Sequence, residues 1–305
     1  SSPVGLFVDQ NNELYVADNG LGAVVKFSSE GEVLHRYDRP HSAAFGTETT
    51  YSPSKVAVNS SGTLYVVSDG SYDGMIQLDQ NGEFLGYFGY NNNPITAWEY
   101  LQDLLFTDEM KAQLFSRVPY SFGNVDIDTK GILYSVTQSA EGNAIKKHDV
   151  AGLNLLAPNM EDEQDFVDVC IGTDGQIYAV TATGLIFEYD MDGHLLFTFG
   201  GRAIAVEQNG VFATASAIAS DSQGRLYVLD GERGLVHVMA PSNYAKAVHT
   251  AMREYSLGHY AVSYELWNDI ISIGGASYFA TNNMAQCLFQ EKQYDEAAAL
   301  YRASG

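Results

Sequence analysis

Cysteine is almost missing from this chain: two residues, Cys170 and Cys287, among 305. Two thiols make neither a disulfide framework nor a metal-spaced cluster. Cys170 falls in a run of strand character and Cys287 in one of helical character, so both read as small buried hydrophobes. Positive charge is scarce as well. Sixteen Lys and Arg stand against 38 Asp and Glu, a formal net charge of −22. That leaves no basic face for a phosphate backbone, and a nucleic-acid partner is excluded. The acidity reads as a soluble, self-repelling surface. No run of 18 apolar residues occurs, so nothing reads as a membrane-spanning helix, and no signal-peptide pattern is present.

What the chain has in quantity is turn and strand chemistry, with 29 Gly and 20 Tyr. The stretch Ser52 to Gly89 shows the unit most clearly. Four β-type runs, Lys55–Val58, Thr63–Val67, Met75–Leu78 and Phe84–Phe88, are punctuated by Ser-Ser-Gly, Asp-Gly-Ser and Gln-Asn-Gly. A four-stranded meander of this size cannot bury its own faces and needs neighbours of the same kind. They are there. The Tyr of the second strand recurs as Tyr15, Tyr65, Tyr134, Tyr178 and Tyr227, at spacings of 50, 69, 44 and 49 residues. Six residues before each stands Asp9, Asn59, Asp128, Gly172 or Asp221, closing a first strand. Four strands per 40 to 50 residues predict a β-propeller with five blades visible.

The pattern P-x-x-(V/L)-x-V-D-x-x-G-x-(L/I)-Y-V-x-D resembles the NHL repeat. Ser2-Pro3 with Leu6 to Asp18, and Ser52-Pro53 with Val56 to Ser68, carry it best. The third and fourth copies depart from it, with Phe122 and Phe166 for the Pro and Thr137 and Thr181 for the second-strand Asp. The resemblance implies a six-bladed parent with one blade more than is visible. The chain opens at Ser1 on a blade and stops within a helical pattern, as expected of a piece of a longer protein.

The propeller is expected over residues 1–241, interrupted at about 96–118 by two short helices. There Trp98, Leu101, Leu104 and Leu105 fall at helical spacing, and Thr107 with Asp108 and Glu109 reads as an N-cap with an acidic first turn. Such a hairpin reads foremost as a plug over one propeller face, with partner contact through Trp98, Leu101 and Leu105 as the alternative. Glu161, Asp162 and Glu163 mark an exposed acidic loop, read as solvated charge. Residues 242–305 turn helical. Gly258-His259-Tyr260 recurs 34 residues later as Lys292-Gln293-Tyr294, Ser263 as Ala297, and Trp267 as Tyr301. This spacing resembles tetratricopeptide helix pairs, which stack into surfaces that hold peptides. The resemblance implies a protein-interaction surface involving Tyr260, Trp267 and Tyr294.

Six-bladed propellers include metal-dependent lactonases and lyases, so chemistry must be sought along the inner strands. None of the seven His falls in one, and no nucleophile elbow, phosphate loop or metal-spaced cluster appears. A catalytic metal or cofactor is therefore not expected. Matched offsets before the marker Tyr do place Lys55, Asn124, Asp126 and Asp168 on the inner strands of three consecutive blades. A lysine among carboxylates reads more readily as a structural ion pair in the channel than as a catalytic group.

The order of parts resembles a bacterial family of cell-surface proteins: propeller, helical insertion after a Y-x-P-S-K-V-A-V blade, then tetratricopeptide repeats. Its specific elements here are Pro53-Ser54-Lys55-Val56-Ala57-Val58, Asn124-Val125-Asp126-Ile127-Asp128 and the Tyr260/Tyr294 repeat. Members typically continue into a membrane-embedded Yip-like domain. The resemblance implies an extracytoplasmic, non-catalytic binding module or scaffold with a protein or peptide partner. Membrane attachment would come only through parts outside this sequence. The alternative is a metal-dependent lactonase- or lyase-type enzyme.

Overall fold

The computed structural model describes residues 1–46, 49–71, 73–89, 121–137, 144–156, 165–203, 208–274 and 277–304. The insertion at 96–118, with Trp98, Leu101 and Leu105, and the acidic loop at 161–163 lie outside them.

Five antiparallel sheets form a β-propeller, and each runs in strict chain order. The first blade is β1 (Pro3–Val8), β2 (Leu14–Asp18), β3 (Ala23–Phe27) and β4 (Val33–Tyr37). The second is β5 (Pro53–Val58), β6 (Leu64–Ser68), β7 (Met75–Leu78) and β8 (Phe84–Phe88). The third has three described strands, β9 (Asn124–Ile127), β10 (Leu133–Val136) and β11 (Ile145–His148). The fourth is β12 (Phe166–Ile171), β13 (Ile177–Thr181), β14 (Leu185–Tyr189) and β15 (Leu195–Gly200). The fifth again has three, β16 (Ala215–Ser220), β17 (Leu226–Asp230) and β18 (Leu235–Met239).

Much of the acidity builds turns. Asp9 Oδ1 accepts from the backbone N–H of Asn11 and Glu13 at 2.8 and 3.0 Å. Asn59, Asp128 and Asp221 repeat this pair of bonds in their own blades. An Asx side chain that caps the two N–H groups of a tight turn fixes the register of the hairpin. Gly172 cannot, and there Gln176 Oε1 accepts from Asp174 N–H at 3.1 Å instead. The second-strand Asp is structural too. Asp18 Oδ1 accepts from Ser2 and Leu21 N–H at 2.7 and 2.9 Å, tying the entry of the blade to the next turn. Asp230 binds Ala213 N–H at 2.8 Å in the same way. Where Thr181 replaces it, its Oγ1 accepts from Leu185 N–H at 3.1 Å, so the local turn is still capped.

Blades pack by a single rule. At the first three seams a blade presents its marker Tyr with small or aliphatic residues to the Val/Leu face of the next. Tyr15, Ala17, Val24 and Tyr37 of blade 1 meet Val56, Val58, Leu64, Val66, Ile76 and Leu78 of blade 2, with Phe45 and Tyr51 of the connection sealing the seam. Ala57, Tyr65, Val67 and Met75 meet Val125 and Leu133. Tyr134, Val136, Ala144 and Ile145 meet Val169, Ile177, Ala179 and Tyr189. Close approach of inner strands needs Gly5: a Cβ there would lie 2.3 Å from the Ser54 carbonyl oxygen. The inner strands adjoin in the series β1, β5, β9, β12, β16. Among the described residues, β16 and β1 are not packed on each other as these pairs are.

The helical unit comprises four helices, α1 (Asn243–Ser256), α2 (Tyr260–Ser272), α3 (Ser277–Gln290) and α4 (Tyr294–Ala303), each packed on the next. Ser242 caps α1 by accepting from Ala245 N–H at 3.1 Å. Ser263, fully buried, donates to the Ala251 carbonyl at 2.8 Å, and Ala297 is its buried counterpart one repeat on. Small residues here let the helix pairs approach closely. The chain divides into two compact units, Ser1–Ser220 with Tyr227–His237, and Asp221–Leu226 with Val238–Gly305. No helix among the described residues is long and apolar enough to cross a membrane.

Candidate functional site

Three of the four polar residues read from matched offsets form one bonded wall. Asn124 and Asp168 are buried on β9 and β12, and Asn124 Nδ2 donates to Asp168 Oδ1. Asp168 Oδ1 also accepts from Val169 N–H at 2.8 Å, and its Oδ2 accepts from Ile218 N–H on β16 at 2.7 Å. Asp126 does the same one blade earlier, accepting from Ile127 N–H at 2.8 Å and from Ile171 N–H on β12 at 3.1 Å. Ser220 Oγ closes the series by donating to the Ile171 carbonyl at 2.7 Å. Inner strands of neighbouring blades belong to separate sheets and cannot share a ladder. These side chains satisfy the backbone groups left facing one another.

The electrostatics follow from the enclosure. Burial pushes the Asp168 carboxyl up to about 7, while the Ile218 N–H and the positive charge of Lys55 pull against the rise. Burial takes Asp126 up to about 6, against the pull of the Ile127 and Ile171 N–H groups. The Cys170 thiol is pushed well above its ordinary range, first by burial and then by Asp126 and Asp168. A thiol held protonated is a poor nucleophile. Lys55 is the correction to the sequence reading. It lies close enough for its charge to act on Asp168, yet it makes no ion pair with any described carboxylate. Asn124 takes the contact that an ammonium was expected to make.

A buried Ser–His pair escaped the sequence reading. His148 Nε2 lies 2.7 Å from Ser135 Oγ, and its Nδ1 lies 3.1 Å from the Gly152 carbonyl oxygen. Because a carbonyl only accepts, Nδ1 carries the proton and Nε2 accepts from the serine. Burial holds His148 down to about 4, neutral at physiological pH. The ring is packed between Phe88 and Phe122 at 5.7 and 5.8 Å. A serine enclosed in this way is a core group and not a nucleophile. Its signal in the sequence was only a His at a third-strand position.

The helical unit holds a groove of about 480 Å³ between α2, α3 and α4. Its floor is Tyr260, Tyr264, Cys287, Leu288 and Leu300, and its rim carries Glu265, Glu291 and Glu296, all exposed. None of these three carboxylates has a cation partner among the described residues. Of the residues expected to form an interaction surface, Tyr260 lines this groove and Tyr294 is 55% exposed. Trp267 does not belong to a surface. It is 1% exposed and packs edge-on against Phe279 at 5.3 Å, as the core of the helix pairs. Aromatic spacing along a helix does not say which face turns inward.

The fold and its wall define a mainly β protein, a five-blade propeller carrying four short helices. No protein-family model matches the chain, and no curated protein matches it. Solved structures to which it is similar include virginiamycin B lyase from Staphylococcus aureus, with a TM-score of 0.48 and 11% identity over 79% of this chain and 71% of that one. A streptogramin B lyase gives 0.46 and 12% over 78% and 68%. The extracellular domain of a protein assigned as a hybrid two-component system from B. thetaiotaomicron gives 0.46 and 14% over 75% and 26%.

Proposed function

We propose that this chain is a non-catalytic binding module, an NHL-type propeller joined to tetratricopeptide-type helices, that engages a protein or peptide partner at the bacterial cell surface. The observation that carries this reading is the helical groove, an apolar floor under three carboxylates with no cation partner among the described residues. A partly buried aromatic and aliphatic floor gains from covering, and a rim of one sign selects what covers it. The inner wall supports the same reading. Asp126 and Asp168, the carboxylates best placed to serve chemistry in the channel, are held by backbone N–H groups of the adjoining blade. The extracytoplasmic location rests on the order of propeller and helices and on the resemblance it carries.

Two experiments test the reading together. The purified chain is used to capture partners from bacterial surface extracts, and it is assayed on lactones and esters with calcium, magnesium, manganese or zinc. Capture that is lost when the groove carboxylates are neutralised supports the binding module. Metal-dependent turnover abolished by Asp126→Ala or Asp168→Ala, in protein that remains folded, overturns it in favour of the enzyme.

A further inference from the structure

The chain contains three Asn-Gly dipeptides, Asn19-Gly20, Asn81-Gly82 and Asn209-Gly210, and the last sits against a histidine. His237 on β18 is 9% exposed, with its ring held against Phe212 at 4.6 Å. Its Nδ1 accepts from Gly210 N–H at 3.3 Å and lies 3.1 Å from Asn209 Oδ1. One ring nitrogen thus touches both the backbone nitrogen and the side-chain amide of the same dipeptide. Nε2 is buried and has no partner among the described residues. The tautomer of His148 is set from both sides of the ring, but nothing on the Nε2 side fixes that of His237, so Nδ1 can accept or donate. The other two dipeptides are held differently. Gly82 N–H donates to the Asp79 backbone carbonyl at 3.0 Å, and Asn81 Nδ2 to Asp79 Oδ2 at 3.2 Å. Asn19 Nδ2 is held by Asp69 Oδ2 at 2.8 Å. A backbone carbonyl is too weak a base to take a proton from an amide.

We propose that Asn209-Gly210 is a self-modifying site, at which His237 promotes loss of the Asn209 side-chain amide as ammonia. Nδ1 takes the proton of Gly210 N–H, and the freed nitrogen pair forms a bond to Asn209 Cγ. The Nδ1–H so made faces Oδ1, where negative charge collects, and then gives its proton to the departing nitrogen. The Cγ–Nδ2 bond breaks, ammonia leaves, and a five-membered succinimide ring is left. Water opens that ring at either carbonyl, giving Asp or a β-linked isoaspartyl residue at 209. Ring closure needs the Asn209–Gly210 peptide to rotate. Gly210, at a φ of 85° and with no Cβ, resists this little, and the turn is closed by a long bond, Val211 N–H to the Gln208 carbonyl at 3.3 Å. The product is also accommodated. Asn209, Arg233 and His237 line one cavity of about 270 Å³, and Arg233 approaches Asp230 only to 3.7 Å. A carboxylate formed at 209 gives that guanidinium and the imidazole an anionic neighbour, so the turn acquires negative charge as the protein ages.

The test ages the folded chain at neutral pH in heavy-oxygen water and maps its peptides by mass spectrometry, with Asp and isoaspartyl forms separated. Conversion at Asn209, with heavy oxygen in the new carboxyl, should run about tenfold or more ahead of conversion at Asn19 and Asn81. In chain unfolded by urea the three sites should convert at similar rates, since only the fold distinguishes them. His237→Gln should slow conversion at Asn209 by about tenfold or more and leave Asn19 and Asn81 unchanged. A merely structural role for the ring gives the opposite sign, because a turn released from it is more mobile and an Asn-Gly pair in mobile chain closes its ring faster. Conversion at Asn209 that fails to lead the other two sites in the folded chain overturns the inference. So does a rate at Asn209 that His237→Gln leaves unchanged or raises.

Discussion

Asp168 in the inner strand of the fourth blade accepts a 2.7 Å hydrogen bond from the backbone N–H of Ile218 in the inner strand of the fifth. The bond crosses from one sheet to the next, where no ladder can form. Every contact that the carboxylate makes is with a donor: Ile218 N–H, Val169 N–H and Asn124 Nδ2. Asp168→Asn is nearly isosteric, but its amide nitrogen must face one of those donors. The substitution should destabilise the propeller by about 2 kcal/mol, the cost of a buried donor left without an acceptor. Urea unfolding followed by tryptophan-independent circular dichroism measures it, and an unchanged midpoint would contradict the role of Asp168 as a stitch between blades.

The same wall gives stability a pH dependence of definite sign. Asp168 at about 7 and Asp126 at about 6 lie above the unfolded carboxyl value near 4. Between those limits the folded chain holds the extra protons, so these groups make it more stable as pH falls from about 7 toward 4. His148 acts oppositely. Held at about 4 in the fold against about 6.5 when unfolded, it contributes stability above pH 6.5 that is lost as pH falls toward 4. By this linkage Asp168 is worth about 4 kcal/mol, Asp126 about 3, and His148 about 3 in the opposite sense, so the intact chain should gain about 2 kcal/mol as pH falls from 7 to 5. Asp168→Asn should abolish that gain and leave a nearly flat profile, and His148→Gln should enlarge it to about 4 kcal/mol. Identical slopes in both variants and the parent would refute the assignment.

The propeller was legible because its signals are local. The marker Tyr, the Asx residue six before it and the turn glycines are read off a single strand pair, and they fix register without knowledge of the neighbours. The alignment also placed Lys55, Asn124, Asp126 and Asp168 on inner strands, since equal offsets in equal strands point the same way. It could not show which of them bond. Lys55 was read as the partner of the carboxylates, yet backbone N–H groups of the next blade and Asn124 hold that place. Those donors belong to every residue and leave no mark in the sequence. Trp267 was misplaced for a related reason, because its period fits either face of a helix. Glu265, Glu291 and Glu296 were missed altogether, being brought to one rim only when α2, α3 and α4 pack.

Gly5 tests the packing of inner strands directly. Its φ lies outside the left-handed region, so the cost of a side chain there is chiefly steric. A Cβ would meet the Ser54 oxygen at 2.3 Å and the Lys55 Cα at 3.0 Å, both backbone atoms that cannot swing aside. Gly5→Ala should therefore separate β1 from β5 and destabilise the seam between the first two blades by about 1–3 kcal/mol. Gly31→Ala is the control: it lies in a turn with open space around it, at a φ of 87°, and should cost only the strain of a left-handed alanine, about 1 kcal/mol. Equal losses in the two variants, measured by thermal unfolding, would show that the approach of β1 to β5 is not limiting.

The groove between α2, α3 and α4 makes a prediction about salt. Glu265, Glu291 and Glu296 rim an apolar floor, and no described cation neutralises them. A peptide that sets Lys or Arg beside Leu or Phe should therefore bind, and its acidic counterpart of equal hydrophobicity should not. Exposed charge pairs of this kind contribute about 0.2–1 kcal/mol each and weaken with ionic strength. Replacing all three by Gln should accordingly weaken binding by about 3- to 150-fold and remove most of its dependence on salt between 50 and 500 mM. Leu300→Asp, which places a charge on the floor, should weaken binding at every salt concentration. Titration calorimetry with the basic and acidic peptides distinguishes the contributions. Equal affinity for the two peptides, or a salt dependence that survives the triple substitution, would show that the rim does not select the partner.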